Sequence, residues 1–344
     1  MRLTTTLGAA AAVATLAAGV QPAAAQSTLD TVKERGYMNC QLGLPTPGFY
    51  SLAEDGTWSG LDVDMCRAVS AAIFGDPDKL EYQSVTSAVR FTALANGESD
   101  MLSRTTTWTA VRDTQLGLDF TTVVFYDGQG FLVPKDSGIT SALDLDGATV
   151  CVITGTTSEL NVSDFFRANG MEMTLVTNEQ GAVLIEQYLS GGCDVYTTDK
   201  SALAAERSAL PDPDAHVILP ETISKEPLGP VVRQGDDAWS NIVRWTVFGL
   251  FEAEEYGVTS ANVEELAANP PNPSIARLLG AEGDIGEGLG LSPTFMVDVL
   301  KSVGNYGEIY ERHVGADTPV GIPRAGSANA LWTKGGLIYA MPFR

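Results

Sequence analysis

The sequence predicts an α/β fold divided into two lobes, and three observations carry that prediction. Strand-like and helix-like runs alternate from Tyr37 onward, as in YMNCQL, LDVDMCRAVSAAIF, VVFY and FLV, the pattern of sheets covered by helices. The alternation repeats over about 136–227, and a strong helical stretch, DDAWSNIVRWTVFGLFEAEEYG, then follows PLGPVV as the chain turns back to its first lobe. Finally, a chain of roughly 320 residues after loss of its leader is too long for one small core and suits two.

The elements follow in order. Arg2, an apolar run over 7–20 and Ala23-Ala24-Ala25 before Gln26 read as a secretory signal peptide, 1–25, cleaved near Ala25 and set apart from the fold. No cysteine stands near that site, so no lipid anchor is expected, and no other window is apolar and long enough to span a bilayer. Residues 37–42 alternate, with Met38, Cys40 and Leu42 on one face of a strand. The loop LPTPGFYSLAEDGTW carries Phe49, Tyr50 and Trp58, and helical spacing of Met65, Val69, Ala72 and Ile73 starts a helix near Asp62. In the second lobe TVCVI (149–153) is a strand that ends at TGTTSE, a helix runs through ELNVSDFFRANG, and another helix ending in EQYLSGG leads into the strand DVYTT. The boundaries predicted are 26–132 for the first lobe, 133–228 for the second, 229–265 for the return and 266–344 for a C-terminal extension. In that extension NPPNPS reads as a linker, GAEGDIGEGLG (280–290) as a connector, and 274–279 and 293–313 as helices. The tail keeps Trp332, Tyr339 and Phe343, which predicts docking on a lobe rather than a free end.

Composition excludes several functions. With 43 Asp+Glu against 21 Lys+Arg, binding to nucleic acid or an anionic membrane is disfavoured. The cysteines, Cys40, Cys66, Cys151 and Cys193, form no CxxC and lie far in sequence from His216 and His313, so no zinc site is expected. An even count in an exported chain predicts disulfides with three possible connectivities; if each lobe closes its own, the pairs are Cys40–Cys66 and Cys151–Cys193. GxSxG, GxGxxG and the Walker A pattern are absent, so neither catalytic residues nor a cofactor or metal are assigned.

What the chain does supply suits a zwitterion. ALANGESDMLSRT (93–105) and EQYLSGGCDVYTTD (186–199) share a helix end, a glycine, an aspartate and an apolar strand, with Asp100 five before Thr105 and Asp194 five before Asp199. That places Thr105 and Asp199 just past the carboxyl ends of equivalent strands, where open α/β sheets bind ligands. A carboxylate needs a guanidinium and free amides at a helix start: Arg112, and the turn containing Thr156 and Thr157. An ammonium needs acceptors, Asp199 and the Thr107 hydroxyl, with Phe49 or Tyr50 as an aromatic wall. Each residue also has a plainer reading: Arg112 as a surface partner of Asp113 or Asp119, the TGTT turn as a helix cap, Asp199 as a solvated or capping carboxylate, and the aromatics as loop anchors.

GLDVDMCRAV, TTTWTAVRD, ITGTTSE and CDVYTTDKSAL, in that order, resemble the polar amino-acid-binding proteins of bacterial ABC importers, solute-binding family 3. The tail VGNYGEIYERHVG with LWTKGGLIYAMP resembles the longer C-terminus of the general amino-acid branch, which handles glutamate, glutamine, aspartate and asparagine. The resemblance covers essentially the whole mature chain. It implies two lobes joined by two crossover strands, closing on one amino acid in the periplasm, and a monomer that docks on inner-membrane permease subunits driven by a cytoplasmic ATPase. By motif, Arg112 and Thr107 would hold the α-carboxylate with the amides of Thr156 and Thr157, Asp199 the α-ammonium, and Thr105 a backbone contact. Ser87 stands where many relatives have a second aromatic, and Ile153 where many have a lysine. An acidic side chain would need a further cation, for which Arg90 and Arg104 are the candidates. The alternatives are an exported dehydratase of amino-acid precursors on the same scaffold, or a protein that presents ligand to a sensory receptor.

Overall fold

The structure, a computed structural model, describes residues 27–344; the predicted signal peptide lies outside the described residues. Two five-stranded sheets organise the two lobes. In the first, the strands run in the order Leu80–Ser84, Met38–Leu42, Met101–Leu102, Val231–Arg233 and Leu118–Phe120, the first three parallel and the returning Val231–Arg233 antiparallel to both its neighbours. In the second, Thr174–Asn178, Thr149–Ile153 and Val195–Asp199 are parallel, and Gln129–Pro134 and His216–Ile218 complete the sheet antiparallel.

The lobes are joined by a separate two-stranded ribbon, Phe125–Asp127 against Glu226–Leu228, in which Glu226 faces Asp127. The sequence boundary at 132/133 falls inside Gln129–Pro134, a strand that pairs wholly within the second sheet.

The echo between 93–105 and 186–199 has a structural counterpart. Asp100 gives its N–H to the Asn39 carbonyl and accepts the Asn39 N–H on its carboxylate at 2.8 Å. Asp194 does the same with Thr149, at 2.7 Å. Each aspartate thus locks the start of a parallel strand pair, which aligns the carboxyl ends of both sheets toward the same cleft.

Each lobe carries one disulfide, Cys40–Cys66 (Cα–Cα 6.3 Å) and Cys151–Cys193 (5.8 Å). Both fasten a central strand to a neighbouring element: the helix Leu61–Phe74 in the first lobe, the turn before Val195–Asp199 in the second.

The C-terminal extension belongs to the first-lobe core. Phe295, Met296, Val299, Leu300 and Val303, on one face of the helix Phe295–Val303, are buried in the same cluster as Met65, Val69 and Phe251. A Cβ on Gly249 would lie 2.4 Å from the Met296 sulfur, so the helix Asp237–Glu255 needs glycine where Met296 enters. The predicted single helix over 293–313 is two, Phe295–Val303 and Tyr306–His313. Gly304, at φ +79°, breaks it, and Asn305 with Glu308 forms a reciprocal capping box that starts the second. Phe343 docks as expected, edge-on to Trp245 at 5.3 Å between ring centres. Trp332 docks by its indole N–H, which donates to Glu255 of the helix Asp237–Glu255 at 2.8 Å, while its ring pairs with Tyr339 and both stay about half exposed, at 48% and 49%.

Candidate functional site

The carboxyl ends of both sheets meet at an inter-lobe cavity of ≈ 70 Å³, lined from the first lobe by Tyr50, Ser87, Arg90, Arg104, Thr105, Thr107 and Arg112 and from the second by Ile153, Thr156, Thr157, Asp199 and Glu206. It adjoins a larger compartment of ≈ 400 Å³ that shares Thr46, Tyr50, Ser87, Arg104, Ile153 and Glu206. Across the cleft the Thr107 and Thr157 hydroxyls are 3.4 Å apart.

Tyr50, not Phe49, faces this space. Phe49 is fully buried and packs edge-on against Phe125 at 5.7 Å, whereas the Tyr50 hydroxyl reaches the Thr105 hydroxyl at 3.1 Å. A Cβ on Gly43 would lie 2.5 Å from the Tyr50 ring, so glycine there makes room for it. Thr105 is the one non-glycine residue with positive φ (45°) among the described residues, a conformation costly for a branched side chain. Asp62 holds it there: its carboxylate accepts the Thr105 N–H at 3.0 Å and the Ser103 hydroxyl at 2.7 Å, and burial raises its pKa to about 6. Sequence reasoning took Asp62 as a helix start and missed this role.

The cavity has an electropositive wall. Arg90, Arg104 and Arg112 are each at least nine-tenths buried, and among the described residues none of the three forms an ion pair. Their partners are neutral. Arg112 donates to the Thr107 carbonyl at 2.9 Å, Arg104 to the Ser87 hydroxyl at 3.2 Å, and Arg90 to the Gly155 carbonyl at 3.5 Å. Arg90 and Arg112 both lie on the Phe91 ring, at 4.4 and 5.0 Å. Burial, then mutual repulsion with the neighbouring arginines, holds Arg90 well below the ordinary guanidinium range; burial lowers Arg112 to about 10, with Glu226 and Asp199 opposing. The plainer reading of Arg112 as a surface ion-pair partner fails: it is buried, and among the described residues it pairs with neither Asp113 nor Asp119, the latter pairing with Arg244.

From the second lobe the helix Thr157–Ala168 points its amino end at the cavity. Thr156 is its N-cap: the hydroxyl accepts the Glu159 N–H at 3.2 Å and donates to the Ile153 carbonyl at 2.7 Å. The cap reading holds for this turn, and it leaves the site reading open to it, since the hydroxyl serves the helix while first-turn amides have no intrahelical acceptor. The Thr157 hydroxyl is tied to Glu226 at 2.9 Å, and Asn161 donates to the same carboxylate at 2.7 Å.

Opposite stands Asp199, nine-tenths buried at the start of the helix Lys200–Ser208, where its side chain makes no cap bond. Burial, Asp127 and Glu226 raise its pKa well above the carboxylate range, against the pull of Arg112 and Arg90. A cation placed beside it would reverse that shift. Among the described residues neither the three arginines nor Asp199 forms an ion pair.

Glu206 is a second residue that sequence reasoning missed. It follows Asp199 and Ala202 at the i, i+3, i+7 spacing of one helix face, and all three line the cavity. Trp108 lies outside the cavity, stacked on Phe120 at 5.6 Å. His216 binds the Tyr188 hydroxyl and His313 binds Asp64, both away from the cleft. No group of three or more His, Cys, Asp or Glu among the described residues could hold a metal.

Comparison with known proteins points to one family. Residues 44–261 match the model of the bacterial extracellular solute-binding proteins, family 3. The chain is 53% identical over 329 residues to the glutamate/glutamine/aspartate/asparagine-binding protein of Rhodobacter capsulatus, covering 96% of this chain and 97% of that one. It is 51% identical to the general L-amino acid-binding periplasmic protein of Rhizobium johnstonii, covering 98% of each. A periplasmic binding protein from Brucella ovis, solved with glutathione bound, superposes with a TM-score of 0.90 at 52% identity, over 93% of this chain and all of that one. The chain belongs to the bacterial extracellular solute-binding proteins of family 3, and is a binding protein rather than an enzyme.

Proposed function

We propose that this protein captures a polar or acidic L-amino acid (glutamate, glutamine, aspartate or asparagine) in the periplasm and delivers it to the membrane permease of an ABC importer. The observation that carries the reading is a cleft that brings together three buried arginines and a buried aspartate, none of which forms an ion pair among the described residues. An α-amino acid satisfies both walls at once. Arg112 and the Thr156 and Thr157 amides take the α-carboxylate, Asp199 and the Thr107 hydroxyl the α-ammonium, and Arg104 or Arg90 an acidic side chain.

Binding sites shared between lobes give closure its driving force, because contacts to both halves exist only when the cleft is shut. The Rhodobacter capsulatus relative, named for these four amino acids, supports the assignment, and the Rhizobium johnstonii relative, named for L-amino acids in general, supports the broader ligand class. A second ligand class is favoured by one feature. The small cavity adjoins the ≈ 400 Å³ compartment along Ser87 and Ile153, room for the dipeptide that extends a γ-glutamyl head in glutathione, the ligand of the Brucella ovis protein.

Calorimetry with the four amino acids and glutathione tests the assignment. The expected result is a Kd tighter than about 0.1 mM, roughly 5.5 kcal/mol, for at least one of the four; weaker binding by all four refutes the specificity. Loss of radiolabelled amino-acid uptake on deleting the gene separates delivery to a permease from a sensory role.

A further inference from the structure

One carboxylate in the cleft is not used by the α-amino-acid clamp. Glu206 lines both the small cavity and the adjoining compartment, as does Arg104 from the other lobe. No hydrogen bond or ion pair engages its side chain among the described residues. The groups around it are named readily. Tyr196 on the strand Val195–Asp199 is close enough to feel its charge, and a Cβ on Gly181, at the start of the helix Gly181–Leu189, would lie 3.9 Å from its Oε1. Glu179, Tyr50 and Arg104 share the compartment wall.

We propose, resting on the amino-acid reading above, that Glu206 reads the side-chain terminus of the ligand opposite Arg104: it accepts an N–H from a terminal amide, and in its acid form donates to a terminal carboxylate. An amide has a carbonyl for the guanidinium and an N–H for the carboxylate. A carboxylate has two acceptors, so it fits the same pair of walls when Glu206 carries a proton taken from solvent. One pocket then serves both members of each acid–amide pair, with one proton as the adjustment. Burial already raises the Glu206 pKa to about 7 with no cation opposing it, which makes that proton available near neutrality.

The consequence is a pH signature carried by the acid alone. Asp199, Asp127 and the ligand ammonium act on Glu and Gln alike and cancel in the ratio of their dissociation constants. The free side-chain carboxyl of glutamate, near 4.3 in water, stays ionised throughout the window. A carboxyl oxygen accepts glutamine's N–H in either protonation state, so raising the pH from 6.5 to 8.5 through the Glu206 titration weakens glutamate relative to glutamine by about 25-fold.

The test is calorimetry of both ligands across that window with wild type and Glu206→Gln. Expected are a rising Kd(Glu)/Kd(Gln) in wild type, uptake of a proton with glutamate but not glutamine near pH 8, and a ratio flat to within about twofold in the variant. A flat ratio in wild type, or a slope that survives Glu206→Gln, overturns the Glu206 role while leaving the amino-acid reading intact. No binding by either ligand at any pH overturns both, and the wild-type arm decides even if the variant fails to fold.

Discussion

Replacing Arg112 with methionine should have opposite effects on the empty and the loaded protein. At neutral pH the guanidinium is charged although burial has lowered its pKa from 12.5 to about 10. That difference costs the fold ~3 kcal/mol. The sign follows from proton binding: the unfolded chain holds this proton more tightly, so the cost is fully present below pH 10 and fades only above it.

Methionine keeps the packing on Phe91 and removes the charge, but it leaves the Thr107 carbonyl without its donor, a loss of ~1 kcal/mol or somewhat more. The net is a ligand-free protein more stable by about 1–2 kcal/mol, a Tm raised by about 2–4 °C. Binding moves the other way. Two charge-assisted hydrogen bonds to the α-carboxylate, each ~1.5–3 kcal/mol, are lost, so Kd for every ligand rises by about 100-fold or more. Thermal unfolding with and without ligand, alongside calorimetry, reads both quantities. Affinity within about fivefold of wild type, or a ligand-free Tm lowered by more than about 5 °C, refutes the account of a strained cation waiting for an anion.

Further outcomes follow from other residues. Gly155→Ala puts a Cβ 3.1 Å from the Ala88 Cα of the opposite lobe, a clash present only when the cleft is shut; Kd should rise about 5–30-fold, and an unchanged Kd means that closure does not bring these residues together. The same substitution at φ +72° strains both states by ~1–2 kcal/mol, so the ligand-free Tm should fall as well. Burial raises Asp62 and Asp127 to about 6 and Glu206 to about 7. The stabilisation from holding those protons is complete below the unfolded values near 4 and is lost as pH rises through 6–7, so ligand-free Tm should be higher at pH 5 than at pH 8; a rise over that interval contradicts the sign. Reducing the two bridges, which span 26 and 42 residues in sequence, should cost ~3.5 and ~4 kcal/mol in the chain-entropy model; peptide mass mapping of unreduced protein should recover Cys40–Cys66 and Cys151–Cys193, and a mixed pairing would refute both assignments.

What the sequence disclosed was mostly local. The 149–153 strand, the TGTT turn and the Asp194–Asp199 spacing are chain-adjacent patterns, and the structure places them as written. The choice between Phe49 and Tyr50 was not legible, because neighbouring residues in a loop face opposite ways and the deciding space is made by Gly43. Asp62 was hidden for a different reason. An acidic residue in a first helical turn already has an explanation in the helix dipole, so nothing local reports the strained Thr105 amide 43 residues away. Glu206 left a signal that was overlooked, the i, i+3, i+7 spacing from Asp199. The break at 304 was equally readable, since Gly304 precedes Asn305 and Glu308 follows at the capping-box distance. The half-exposed Trp332 and Tyr339 show the limit of counting aromatics, because Trp332 is held to the lobe through its N–H to Glu255 while the two rings shelter each other at the surface.

Whether the arginine wall holds an α-carboxylate is read from one comparison of ligands. Calorimetry of L-glutamine against 4-aminobutanamide, the same molecule without its α-carboxylate, leaves the ammonium and the side-chain amide unchanged. Expected is a loss of at least about 100-fold for the analogue, ~3 kcal/mol, and no further loss when Arg112 is replaced by methionine. Equal affinity for the two compounds would contradict it.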